Sequence, residues 1–376
     1  MESDAIVEMQ TLYPTFLVKE VNRPSEFWLK EYFDRWKLKT LLHTDIELAR
    51  SHQATASAIK KWFTEVYDKI DLTQYEKDFI GNMDETMISS KSRLLCVVRR
   101  TSRYALNVED ENSEHITLVA MVTANGDSMP PFVIFPLKNS PDILDNLVKD
   151  GQIIIGGQES GWIDKVKFLH WSKEFIKWVE ARRITLNKPN AHFLLMIDSH
   201  SSRENPEALE LLKNANIDVY TYPGECSHIL QALDVFVFGP FKKHYKIQMR
   251  SMRSQKITWK DENVPSDASI RRLKSLLAAV NALKQACTYT NIQKAFERSG
   301  IYPRDVNAAL RNPRLNQSIL EEEVPILIEN TPRRKKLSIT SQCITRDSVI
   351  DAIKARDEEK KRKNIEKNEY KFPIKF

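Results

Sequence analysis

The sequence predicts an α/β domain, with strands mixed with crossover helices, preceded by an all-helical segment. Three observations predict it. Residues 116–123 (ITLVAMVT) and 192–197 (HFLLMI) are unbroken apolar runs of strand length, one ending at the Asn125-Gly126 turn and the other at Asp198. Between and after them come helix-period stretches, such as Phe168, Trp171, Phe175 and Trp178. Ahead of about residue 75 the apolar residues keep helix spacing and no strand pattern occurs.

The 376 residues contain 41% hydrophobic residues, enough for a substantial core and about two domains' worth of chain. There are 57 basic and 51 acidic residues, so the net charge is +6, a mild excess compatible with nucleic acid. Four cysteines (Cys96, Cys226, Cys287 and Cys343) include no C-x-x-C pair, which argues against a disulfide framework or a zinc module and for a reducing interior. No apolar run reaches the ~18 residues of a membrane span, and the first ten residues do not read as a signal peptide. The chain contains no internal repeat.

The helical segment, residues 1–75, has one apolar face made by Trp28, Leu29, Tyr32, Phe33 and Trp36. Thr44 and Glu47 form a capping box, and Ile59, Trp62, Phe63, Val66, Tyr67 and Ile70 make a second face. A helical DNA-binding module and a plain helical packing domain both fit that pattern. The α/β domain runs over 76–250. Its expected strands are 79–83, 93–98, 116–123, 131–135, 192–197 and 218–222, with a helix from Phe168 to about Arg183. Asn205-Pro206 supplies an N-cap and a proline at the first helical position, so a helix follows to about Asn214. Residues 251–310 read as a helical extension, with one helix through Ile270, Leu273, Leu277, Val280 and Leu283. A second runs from Thr290 to a stop at Gly300. From about Asn312 the core signal fades, so 311–376 is expected to be a mostly disordered charged tail.

Residues 222–245 carry the most informative pattern. Leu230, Leu233, Val237 and Phe241 recur at helix spacing, and Asp234 leans against that apolar stripe. A carboxylate beside a core is costly unless a positive group or a hydrogen-bond network holds it. Gly239, Lys242, Lys243, Lys246 and Arg250 share another face, suited to phosphate contact. Asp84 follows a strand-like segment in NMDET, and Asp198 ends the most apolar strand. Each aspartate alone also reads as a cap or turn residue. Together, two acids at strand ends and one on a covering helix can converge at the carboxyl edge of a sheet. Two Mg²⁺ or Mn²⁺ ions would neutralise them and drive phosphodiester chemistry.

At these residues the sequence resembles the DDE transposases of the pogo, Tigger and jerky group, which includes relatives of centromere protein B. Asn82-Met83-Asp84-Glu85-Thr86 matches one family motif, and Asp198-Ser199-His200-Ser201-Ser202 a second, with Arg203 where the family usually has His. Pro223, Ser227-His228-Ile229-Leu230-Gln231, Leu233-Asp234, Phe238 and Lys242 match a third, with Glu225 and Ala232 in place of the family's His and Pro. The stretches 130–135, 161–162 and 295–303 add support, and the resemblance covers roughly 28–303.

The resemblance implies a ribonuclease H-like catalytic domain, a mixed central sheet flanked by helices, with Asp84, Asp198 and Asp234 as the metal-binding triad. It implies a partial helix-turn-helix DNA-binding segment before about 75, DNA as the partner, a homodimer, a nuclear location, two Mg²⁺ or Mn²⁺ ions and no small-molecule cofactor. The implied activity is cleavage and strand transfer of transposon ends. A catalytically silent, host-adopted DNA-binding protein is the competing expectation, motivated by Arg203, Glu225, Ala232 and the short helical segment.

Around the site, His200 and His228 read as hydrogen-bonding groups that orient a carboxylate or a loop, with a ligand role the lesser alternative. Gln231 reads as a cap or bridge near the helix start. Lys242, Lys243, Lys246 and Arg250 would track a DNA backbone. Arg203 reads equally as a phosphate contact or a tolerated change. Glu85, expected on the opposite side of its strand from Asp84, is not assigned to metal. Trp162, Trp171 and Trp178 read as core aromatics. Residues 333–336 (RRKK) fit a nuclear-localisation patch or a solvated basic run.

Overall fold

The computed structural model describes residues 26–36, 54–89, 115–134, 142–157, 163–224, 226–254, 267–313, 315 and 342–369. The expected strand 93–98, the Thr44 and Glu47 capping box, Trp162, Glu225 and the 333–336 patch lie outside those residues. The chain divides into two units, residues 1–47 and 48–376. In the first unit, α1 (Glu26–Arg35) stacks Trp28 on Tyr32 at 4.9 Å between ring centroids, while Phe27 and Trp36 are exposed. Trp36, though exposed, keeps ring contact with Tyr32 at 6.4 Å between centroids, on the expected face.

Among the described residues, the second unit is built on a six-stranded mixed sheet. Its strands are β1 (Ile80–Ser89), β2 (His115–Thr123), β3 (Phe132–Ile134), β4 (Ile154–Gly157), β5 (Phe193–Ile197) and β6 (Ile217–Thr221), in the order β4-β3-β2-β1-β5-β6. β1 is antiparallel to β2 and parallel to β5, and β5 is parallel to β6. This is a ribonuclease H-like arrangement: an antiparallel meander, then crossover strands added beside β1. Both faces are covered, which is why the central strands are continuously apolar. On one face Phe193, Leu195 and Ile197 pack with Phe168, Trp171 and Phe175 of the helix Lys165–Thr185, while Leu194 and Met196 face the opposite core with Leu230, Leu233 and Phe241.

In chain order the helices are α2 (Ala56–Glu65), α3 (Asp142–Lys149), α4 (Lys165–Thr185), α5 (Pro206–Asn214), α6 (Ser227–Leu230), α7 (Phe238–Ser254), α8 (Asp267–Ala286), α9 (Tyr289–Ser299), α10 (Val306–Leu310) and α11 (Asp347–Glu369). Local chemistry sets several of their ends. Asn205 accepts from the Ala208 N–H and Pro206 opens α5, as expected. Gly300, at φ 71°, closes α9 in the left-handed conformation that glycine adopts without a Cβ clash.

Two boundaries differ from expectation. Within the expected helical segment 1–75, α2 and the turns after it belong to the second unit. Ile59, Trp62, Phe63 and Tyr67 are buried in the sheet core, Trp62 Nε1 donates to the Thr221 carbonyl at 3.2 Å, and the Tyr67 hydroxyl donates to the Ile301 carbonyl at 2.5 Å. Residues this apolar stay inside whichever core is nearest, and helical spacing carries no information about which one. The tail is the second correction. Residues 342–345 lie antiparallel along the outer edge of β6, with Thr221 N donating to Gln342 O and Ile344 N to Val219 O. α11 then packs on α5, burying Ile350 and Ile353. Mixed charge along most of α11 hides its short apolar start from a composition-based reading.

Candidate active site at the carboxyl edge of the sheet

Register brings two of the three aspartates level. Asn82 pairs with Met196 across the parallel strands β1 and β5. Two residues further along the chain from each stand Asp84, still on β1, and Asp198, just past the end of β5, so they come to the same edge, with neighbouring strands about 4.8 Å apart. β5 ends at Ile197, whereas β1 continues to Ser89. The edge of β1 therefore opens where Asp84 and Glu85 stand.

The third aspartate arrives by a broken helix. The expected continuous helix after 226 is α6, an extended Gln231, a π-helical turn over Leu233–Val237, and α7. Leu230, Leu233, Val237 and Phe241 are buried as their spacing predicts. Asp234 sits in the π turn, half-buried; π turns within helices recur at functional sites.

Asn82 links these parts. It is fully buried near the start of β1. Its Nδ2 donates to the Met196 carbonyl at 3.0 Å and to Gln231 Oε1 at 3.3 Å, and its Oδ1 accepts from the Leu233 N–H at 3.0 Å. Gln231 thus bridges to β1 ahead of the π turn.

Carboxylate oxygens of Asp84, Glu85 and Asp198 all lie within 4.8 Å of one another. Asp234 stands outside that cluster, yet its charge bears on Asp84. Burial pushes the Asp84 carboxyl well above the usual carboxylate range, and the charges of Asp234, Glu85 and Asp198 push the same way. The Glu85 N–H, donating to Asp84 Oδ1 at 2.8 Å, pulls in the opposite direction. Three acids converging on one edge, all offering hard oxygen donors, suit divalent ions of the Mg²⁺ and Mn²⁺ class.

Arg203 is the residue whose role the sequence left open. It is fully buried on the 3₁₀ turn Ser201–Arg203 that follows β5. Its Nη2 lies 2.6 Å from Glu85 Oε1, its Nε donates to Asp198 Oδ1 at 3.1 Å, and its Nη1 donates to Ser202 Oγ at 3.0 Å. The guanidinium carbon sits 5.3 Å from the Phe168 ring centroid. Burial alone would lower the pKa of Arg203, but Glu85 and Asp198 outweigh it and hold the cation. Arg203 is therefore an internal counter-ion to the acids.

Glu85 is a correction. Strand alternation predicts that it points away from Asp84, but its carboxylate joins the cluster. The alternation argument assumes a strand flanked on both sides. Beside Glu85 the edge is open, and a longer side chain is drawn to the Arg203 cation. Asn82 was missed as an individual residue, although an Asn inside a buried strand is an unusual choice that signals a specific hydrogen-bonding task.

The remaining expected residues fall as follows. His200 is exposed, and its Nδ1 lies 2.9 Å from Ser202 Oγ, at two removes from Asp198 through Arg203. His228 is half-buried on α6. Lys242, Lys243, Lys246 and Arg250 are all exposed on α7. Trp171 is fully buried and Trp178 half-buried, the latter with the Arg182 guanidinium 4.9 Å from its ring centroid. No described helix is long and apolar enough to cross a membrane.

Residues 112–296 match the family model described as DDE superfamily endonuclease. Asp198 and Asp234 lie within the match and Asp84 lies before it. The chain is 27% identical over 198 residues to the MFS-type transporter clz9 of Cochliobolus lunatus, 52% of this chain and 20% of that protein. It is 24% identical over 180 residues to the pogo transposable element with KRAB domain of Mus musculus, 46% of this chain and 28% of that protein. The chain thus spans well under a third of the length of these curated relatives. Among solved structures, the Mos1 mariner paired end complex with Mn covers 81% of this chain and 79% of its own, at 9% identity and a TM-score of 0.42. The matched region makes the chain similar to DDE superfamily endonucleases over just under half its length, and it shares 24% identity with a pogo transposable element over 46% of the chain.

Proposed function

We propose that this chain is a metal-dependent DNA endonuclease of transposase type, cutting a phosphodiester with water and joining the freed 3′-hydroxyl to a new site. The observation that carries it is the convergence of Asp84 and Asp198 at one sheet edge, with Asp234 close enough for its charge to weigh on Asp84. Asp84, Asp198 and Asp234 would hold two Mg²⁺ or Mn²⁺ ions, which when bound supply an activated water and stabilise the leaving oxygen.

The chain's own groups prepare that chemistry. Arg203 holds Asp198 from behind, so the carboxylate meets an incoming ion already oriented. Burial and the neighbouring acids raise the affinity of Asp84 for its proton, so ion binding there would compete with protonation. The exposed Lys242, Lys243, Lys246 and Arg250 would track a DNA backbone. His200, through Ser202, and Gln231, through Asn82, would steady the acids without touching the ions. The same reading gives a nuclear protein that acts as a homodimer on two DNA ends.

The test is nicking of DNA that carries the element's own terminal repeats, with Mg²⁺ or Mn²⁺. Cleavage by the wild type and its loss in Asp198→Ala and Asp234→Ala support the reading. Activity that survives either substitution refutes the triad. Metal-independent DNA binding with no cleavage of any end sequence would instead indicate a host-adopted binding protein.

A further inference from the structure

We infer that Asn82 is the positioning residue of the acidic site: one side-chain amide ties the turn that carries Asp234 to the paired strands that carry Asp84 and Asp198. The inference rests on the metal-site reading above and goes beyond it, because Asn82 bears no charge and would touch neither ion nor DNA.

The geometry is specific. Asp84 lies two residues after Asn82 on β1, Asp198 two residues after Met196 on β5, and Asp234 one residue after Leu233. Asn82 is hydrogen-bonded to Met196 O, to Leu233 N and to Gln231 Oε1 at 3.0, 3.0 and 3.3 Å. The amide orientation is determined by these partners. Reversing it would set an NH₂ against the Leu233 N–H and an oxygen against the Met196 carbonyl. β1 and β5 are already paired by their backbones, but the link of the π turn to β1 through Leu233 N passes through this side chain. Extended backbone at Gln231 interrupts the helix there, so helical hydrogen bonding does not by itself carry Asp234 into register with β1. Buried amides of this kind are costly unless every donor and acceptor is matched, and Asn82 is matched on both sides.

The consequence is a separation of fold from site. Asn82→Ala leaves the strands paired and the apolar stripe buried, but frees the π turn to drift. Asn82→Asp is more telling. It keeps the size and the acceptor for Leu233 N, loses both donor bonds, and adds a carboxylate near the ions. If position 82 acted only through charge, Mn²⁺ would bind this variant more tightly. If it acts as a positioning group, Mn²⁺ binds more weakly.

The experiment is Mn²⁺ titration of the full chain, followed by electron paramagnetic resonance, with circular dichroism and thermal melts on every variant. The wild type, Asn82→Ala, Asn82→Asp, Gln231→Leu and Asp198→Ala are compared. The expected result is a roughly 10–100-fold loss of affinity in both Asn82 variants, a smaller loss in Gln231→Leu, and unchanged far-ultraviolet spectra. Single-turnover nicking should fall with little change in the DNA concentration dependence. Wild-type Mn²⁺ affinity in Asn82→Ala, or tighter binding in Asn82→Asp, overturns the inference while binding lost in Asp198→Ala leaves the metal site standing. If Asn82→Ala does not fold, Gln231→Leu at wild-type affinity overturns it. A wild type that binds no Mn²⁺ overturns the metal-site reading and this inference together.

Discussion

Replacing Arg203 with Met tests the central electrostatic claim. Met preserves much of the volume and the apolar contact with Phe168 but removes the charge and every donor. Arg203 is fully buried, and it pairs with Glu85 at 2.6 Å and Asp198 at 3.1 Å, whose side chains are 18% and 25% exposed. At an effective dielectric near 20, each pair is worth about 5–6 kcal/mol of attraction before the desolvation of both ions is subtracted. Measured losses on breaking a buried pair from one side are about 3–5 kcal/mol, because the remaining charge is stranded. The partial hydration of Glu85 and Asp198 favours the lower end, about 3 kcal/mol, or a fall in Tm of roughly 6–12 °C. Urea unfolding of metal-free protein at neutral pH, followed by tryptophan fluorescence, measures it. The double variant Arg203→Met with Glu85→Gln should recover part of the loss, since it removes one of the stranded charges. Metal-free Arg203→Met within 1 kcal/mol of the wild type, or a double variant less stable than the single, refutes the counter-ion role.

Three further outcomes are expected. The raised pKa of Asp84 means that the native state holds a proton the unfolded chain has released, so the stability tied to this group is present at low pH and is lost as pH rises through its folded value. Asp84→Asn, which keeps the acceptor for the Glu85 N–H, should therefore stabilise the metal-free protein at neutral pH by about 1 kcal/mol or more, with the gain vanishing in acid; denaturant melts in EDTA across a pH series report it, and a gain independent of pH would contradict it. Removing residues 342–376 deletes the buried Ile344, Ile350 and Ile353 and bares the β6 edge, so a loss of about 5–9 kcal/mol and aggregation are expected, read from denaturation midpoints and sedimentation. Neutralising Lys242, Lys243, Lys246 and Arg250 together should flatten the dependence of log DNA affinity on log salt by about 3–4, in fluorescence anisotropy, whatever the DNA sequence.

The sequence by itself determined much of the fold. The apolar runs 116–123 and 192–197 became β2 and β5 because a strand covered on both faces must be apolar throughout. Asn205-Pro206 and Gly300 set helix ends through local backbone chemistry, which needs no distant partner. The buried stripe of 230–241 was equally readable, but the π turn within it was not, since spacing cannot show where a ladder of hydrogen bonds breaks. Which core receives α2, and that 342–369 folds back on β6 and α5, were decided by tertiary contacts. The same holds at the site. Asp84, Asp198 and Asp234 stood out as acids in apolar settings, yet it is strand register that sets the first two level, and the Asn82 amide that hydrogen-bonds the turn carrying the third. Glu85 and Arg203 took their meaning from each other, 118 residues apart in sequence, because a buried charge is explained only by the partner that shares its low-dielectric surroundings.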